Sequence, residues 1–97
     1  MTDRETKSTE LQVTLDGLLE RLAAIEHERW SHWQRYLHGK AERQSDGSLL
    51  LPAELVARWE AQMNTPYAAL SEKMKESDRD QVKRYLPMIV DTFRQQN

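Results

Sequence analysis

The residues able to do chemistry crowd into one stretch. Glu26, His27, Glu28, Arg29 and His32 stand among two of the three tryptophans, Trp30 and Trp33, and His38 follows. His27-Glu28 with His32 has the residue types of a zinc site, but that chemistry needs histidines four apart on one helical face. Five positions separate these two, which swings the second ring off the first, and surface or rim histidines are the plainer reading. Magnesium-dependent nucleotide hydrolysis needs carboxylates at i, i+3 or i+4 on two facing helices. Glu72 with Glu76 is one such pair, in a polar segment that reads as solvated. Glu20 is followed by Ala23 and Ala24, and so has no partner one turn on. There is no cysteine, and Ser31, Ser48, Ser71 and Ser77 sit in no nucleophile elbow. No catalytic residue, metal site or cofactor is expected.

What remains is a polar group beside aromatic residues. From Leu15 to Leu37 apolar residues recur three and four apart: Leu15, Leu18, Leu19, Leu22, Ile25, Trp30, Trp33, Leu37. At about 100° per residue they form one broad arc of an amphipathic helix. Glu26 projects into the middle of that arc and Arg29 lies near its edge. A carboxylate aimed at a core is costly unless paired. Further along, Asp78 points toward the apolar face of the last helix and Arg79 lies at its rim. Two acids and two arginines could satisfy one another as ion pairs that fix helix packing, which is weak grounds even for stability. The sharper reading is a small pocket with aromatic walls to stack a planar ligand and arginine forks to hold phosphate or carboxylate.

Composition bounds these readings. Ninety-seven residues make one domain, near the lower limit for a single core. A hydrophobic fraction of 38% with 31% charged residues suits a small helical protein or a subunit that covers its apolar surface by association. The net charge of -2 carries no basic excess, so duplex nucleic acid is not an expected partner. The polar start, MTDRETKSTE, has no apolar core of a signal peptide, and no apolar run reaches about 20 residues. No membrane partner is expected, and the absence of cysteine fits a reducing cytoplasm.

In chain order, residues 1–9 read as a flexible tail and 10–97 as the helical domain. A first long helix starts at Thr9, Thr14 or Asp16, with Thr9 and Gln12 as a capping box and Gly17 as a weak point. It ends near His38-Gly39, where glycine can take the left-handed position. AERQSDGS is a connector with an Asp-Gly turn, and residues 48–51 suit a short extended piece. Pro52 opens a second helix over Ala53–Met63, stopped by Asn64-Thr65-Pro66. Residues 66–70 suit one helical turn, Ser71 caps another through Lys75, and Ser77 with Asp80 caps the last helix, Asp78 to Gln95. Pro87 should bend that helix or open the preceding turn. Its inner face is Val82, Tyr85, Leu86, Ile89 and Phe93. The fold class is all-α: three main helices plus short helical turns, with the tryptophans and Tyr67 meeting in one cluster.

Two stretches resemble the ryanodine-receptor repeat (RyR) domain family. LAAIEHERW, residues 22–30, matches a helix with histidine three before tryptophan. TPYAALSEKMKESDRDQVKRYLP, residues 65–87, matches a proline-aromatic, leucine, lysine, Asp-Arg and leucine-rich ending. With their spacing they cover most of residues 18–90. Between them the family typically has a Gly-Trp-x-Tyr-Gly turn and an arginine, where this chain reads WQRYLHGKAERQSDGSLLLPAELVARWEAQ. Trp59 and Tyr36 are the aromatics available there instead. The chain looks most like a short, stand-alone branch of the family met in phages and prophages.

The resemblance implies a non-catalytic binding module for a nucleotide-derived ligand, with His27, Trp30, Tyr67, Leu70, Asp78 and Arg79 at matching positions. Leu70 is expected in the core, and Asp78 has the alternative of supporting a helix N-terminus. The leading expectation is thus a site for a small, anionic, nucleotide-like ligand. Trp30 and Tyr67 would stack its ring, Arg79 and Arg29 would hold the anion, and Glu26 or His27 would read polar edges. A phage factor sensing or sequestering signals in the host cytoplasm is the setting that this implies. The competing expectation is a protein-interaction or structural subunit, a homo-oligomer among its forms. Nucleotide hydrolysis ranks behind both.

Overall fold

The chain is long, polar and helix-forming at its start, and the structure follows that bias further than apolar periodicity does. The computed structural model describes residues 3 to 95. Helix α1 runs unbroken over Asp3–Lys40, 38 residues. Residues 3–9 are therefore its first two turns and not a loose tail; residues 1 and 2 of that expected tail, like 96 and 97 of the expected domain, lie outside the described residues. Only Arg4, Glu5 and Lys7 of residues 3–9 are good helix formers, yet the helix runs through Thr9 and Thr14 without a cap at either. Both hydroxyls instead donate back along the helix, Thr9 to the Glu5 carbonyl at 3.0 Å and Thr14 to that of Glu10 at 3.0 Å. Gln12 donates its amide to Asp16 at 2.9 Å. Gly17 and Gly39 are both inside the helix, and Gly39 does not take the left-handed conformation.

That conformation belongs to Gly47, at φ 89°. Strands β1, Glu42–Arg43, and β2, Leu49–Leu50, pair antiparallel with Glu42 opposite Leu50 and Arg43 opposite Leu49. Asp46 holds the turn between them. Its carboxylate accepts from the Ser48 amide at 2.9 Å and the Ser48 hydroxyl at 2.6 Å. Helix α2 spans Ala53–Met63, with Pro52 at φ −59° pre-set for the first turn. A 3-10 turn at Tyr67–Ala69 follows Pro66. Helix α3, Glu72–Val82, is capped by Ser71, whose hydroxyl accepts from the Met74 amide at 3.2 Å. Helix α4 covers Leu86–Gln95.

The expected last helix is thus two. Ser77 and Asp80 cap nothing, because α3 already runs through them. Pro87 lacks a donor, and its ring would crowd the carbonyl four residues back, so the chain opens into a turn at residues 83–85. The all-α class stands, with four helices and a minimal hairpin.

Packing departs from the expectation of a single core. Helix α4 lies antiparallel along α1, since Tyr85, Arg84 and Thr92 meet Glu26, Glu28 and Arg21 respectively. Among the described residues no hydrophobic side chain is buried, and the one buried side chain is Thr92, 3% exposed. Tyr85 of the turn and Met88 and Ile89 of α4 are half-buried beside Thr92, whereas Val82 at the end of α3 and Leu86 and Phe93 of α4 are exposed. The molecule measures 63 × 36 × 19 Å, and its radius of gyration is 19.9 Å. A compact domain of this length has about 12–13 Å.

The two backbone glycine environments give opposite expectations. Gly17→Ala adds a helix former where nothing lies within 4 Å, and should stabilise by about 1 kcal/mol. Gly47→Ala forces a side chain into positive φ and should cost about 1–2 kcal/mol. Urea midpoints of the two variants check both signs.

Candidate functional site

Helix α1, α2, the 3-10 turn and α3 surround an open hollow of about 490 Å³. Its walls include Trp33, Trp59, Met63, Tyr67, Leu70 and Asp78. The hairpin returns the chain so that α2 crosses the end of α1, and Trp33 meets Trp59 edge-on with centroids 5.6 Å apart. Tyr36 also stacks on Trp33, at 5.5 Å, with the Lys40 ammonium 5.5 Å from its ring centroid. Tyr67 comes from the 3-10 turn, with Lys75 5.8 Å from its centroid. Asp78 is the one acid on these walls, and no arginine or lysine lines them.

A neighbouring groove of about 340 Å³ shares Tyr67 and Asp78 and continues past Arg79, Val82, Lys83 and Leu86. Its two cations are already engaged. Arg79 donates to Glu76 at 3.1 Å and Glu72 at 3.3 Å, and Lys83 reaches Glu76 at 3.3 Å and Asp80 at 3.5 Å. Arg79 pulls the Glu76 carboxyl below its usual range, with Lys83 adding to the effect, and the two glutamates raise Arg79 in turn. These are exposed pairs along one helix, each contributing little to stability.

The other half of the expected pocket lies elsewhere. Glu26 is clamped by Arg29, whose Nε donates to Oε2 at 3.0 Å and whose Nη2 donates to Oε1. The Tyr85 hydroxyl donates to the same Oε2 at 2.5 Å. Arg29, and then Tyr85, hold the Glu26 carboxyl down at about 2 against its usual 4.5. The arginine is shifted upward by the same contact, and the Tyr85 hydroxyl is also raised, chiefly by Glu26. Arg84 donates to Glu28 at 2.8 Å one step away. At the far end Arg21 donates to the Thr92 hydroxyl at 2.8 Å, which itself donates to the Met88 carbonyl at 2.8 Å. The Arg21 Nε is buried and makes no hydrogen bond.

Of the seven expected site residues, the structure therefore brings Tyr67 and Asp78 to the hollow and Arg79 to the groove beside it. Glu26 and Arg29 form a polar clip between α1 and the turn before α4, and no bond among the described residues joins them to Asp78 or Arg79. His27 stacks on Trp30 with centroids 6.3 Å apart, and Trp30 is 55% exposed, lining none of these hollows. Trp30 thus stands apart from the hollow, whose aromatic walls are Trp33, Trp59 and Tyr67. The signal for Trp33 is its position, one helical turn further toward the end that α2 crosses. Leu70 is half-buried and lines the hollow.

Among the described residues no group of three or more His, Asp or Glu side chains is arranged to hold a metal ion. No helix among them is long and apolar enough to cross a membrane. Comparison with family models, curated proteins and solved structures gave no match.

The Glu26 clip has a definite pH signature. Its folded pKa lies below the unfolded value, so its contribution to stability is present above about pH 4.5 and disappears as pH falls through about 2. Carboxyl carbon shifts should show Glu26 titrating near 2. Arg29→Met should raise that midpoint toward 4.5, and Tyr85→Phe should raise it by less.

Proposed function

We propose that this chain is a protein-interaction or structural subunit whose helical scaffold is completed by association. One observation carries the reading: none of the described hydrophobic side chains is buried, while Leu19, Phe93 and Met63 are 63%, 66% and 73% exposed. Burial of apolar area is the main favourable term in folding, at about 25 cal/mol per Å². A chain this rich in ordered helix must offset the entropy of about 1–2 kcal/mol per ordered residue. Exposed ion pairs along α3 and a polar clip on α1 do not supply that. Apolar surface contributed by another chain does.

A second reading rests on a different observation, the Trp33–Trp59 corner. Its edge-on rings and Tyr67 offer faces on which a planar ring can stack. This supports the ring of the nucleotide-like ligand expected from the ryanodine-receptor resemblance. The anion has less support, because the walls carry Asp78 and no cation, and Arg79 is held by two glutamates. A neutral or cationic planar ligand suits this corner better than a phosphate.

Hydrogen exchange tests the leading reading. At high dilution the 11.4 kDa monomer should show little protection in α1 and α4, and protection should appear only as an assembly forms. Strong, cooperative protection in a verified monomer would contradict it. For the second reading, thermal shifts across a panel of nucleobases, nucleosides and nucleotides should favour the uncharged members. Stabilisation that grows with phosphate number would restore the anionic ligand.

A further inference from the structure

The open face of the α1/α4 hairpin carries the furthest consequence, and it rests on the reading of this chain as an associating subunit. With 3.6 residues per turn, Leu15, Leu19 and Leu22 of α1 lie about 90° to one side of the line toward α4 through Leu18, Arg21 and Ile25. On α4, Leu86, Val90 and Phe93 lie about 120° from the Thr92 line that faces α1. Because the helices are antiparallel, these offsets bring both rows to the same side of the seam. Leu86, Val90 and Phe93 are 48%, 44% and 66% exposed, and Leu15 and Leu19 are exposed beside them. The hairpin is therefore a two-helix layer with one largely apolar side facing solvent, interrupted on the α1 row by the Glu26–Arg29 pair.

We propose that a second copy of this chain covers that side, pairing two α1/α4 hairpins into a four-helix bundle. The area selects the occupant. A compact monomer of 11.4 kDa exposes about 5,800 Å². This chain exposes 8085 Å², an excess of about 2,300 Å². Covering the excess on both copies removes about 4,600 Å² in total, within the 2,000–5,000 Å² range of obligate homodimers. A peptide or small ligand covers far less. A two-helix layer with one apolar face is also self-complementary under a two-fold rotation, the commonest symmetry of homo-oligomers. A net charge of -2 per chain puts little repulsion between the copies. The protruding first turns of α1, with Leu11 49% exposed, add surface for the partner beyond the end of α4.

Light scattering of the full chain, with intermolecular spin-label broadening, tests this. The mass should be twice 11.4 kDa. Val90→Glu should weaken the dimer at least ten-fold, whereas Val13→Glu, on the opposite side of α1, should leave it intact. If Val90→Glu merely unfolds, mixed dimers decide. One copy is isotope-labelled, and the other carries a spin label on Arg94→Cys, the only thiol in this cysteine-free sequence. Broadening confined to α1 and α4 of the labelled copy is the expected result. A dimer broadened around Trp59 instead overturns the proposed face. A poorly protected monomer overturns the second copy while leaving an unlike partner for the interaction reading. A strongly protected monomer overturns both.

Discussion

The length of α1 sets the terms for everything else in this molecule. A helix of 38 residues is about 57 Å long, and the shorter elements that follow it cannot wrap that length. Helix α4 covers its middle, and α2 crosses near its end, while the first turns project beyond both. An amphipathic arc that no element of the same chain encloses is the direct result. The absence of a buried apolar core among the described residues follows from geometry and not from a shortage of leucines.

What fixes α4 against α1 is then mostly polar. Three cross-links run down the seam: Glu28 to Arg84, Glu26 to Tyr85, and Arg21 to Thr92. They set register and direction, because each needs particular partners within hydrogen-bond reach. They contribute modestly to stability, since the two at the α3–α4 turn are exposed and screened. Glu26 is well spent in this arrangement. A carboxylate inside an apolar arc finds an arginine one turn on and a tyrosine across the seam, which is why it reads as a pocket residue in the sequence and acts as a clip in the fold.

Local punctuation was legible in the sequence and tertiary coverage was not. Pro52 and the Asn64-Thr65-Pro66 stop gave α2 its bounds, Ser71 gave the α3 cap, and Asp46-Gly47 gave the turn. Each of these acts through its immediate neighbours. The start of α1 was missed because residues 3–9 carry no apolar period, and Asp3, Thr6, Ser8 and Thr9 are weak helix formers. Gly17 and Gly39 were over-weighted as breaks, since a long run of good formers absorbs the cost of about 1 kcal/mol per glycine. Site geometry suffered for a different reason. An apolar arc shows which side of a helix seeks cover, but not what covers it or whether anything does. Trp30 and Trp33 share the arc, and only the hairpin at residues 42–50 decides that Trp33 meets Trp59. The pairing of Arg79 with Glu76 was visible as an i, i+3 spacing; that the same guanidinium also reaches Glu72 needed the fold.

Association as the source of the missing burial is the claim on which this account rests. Calorimetric melting across a hundred-fold range of protein concentration tests it most directly. If folded chains exist only in an assembly, the midpoint rises steadily with concentration, because dissociation and unfolding are one event. A sharp transition whose midpoint does not move with concentration would mean that a single chain holds this structure unaided, and the account would be wrong.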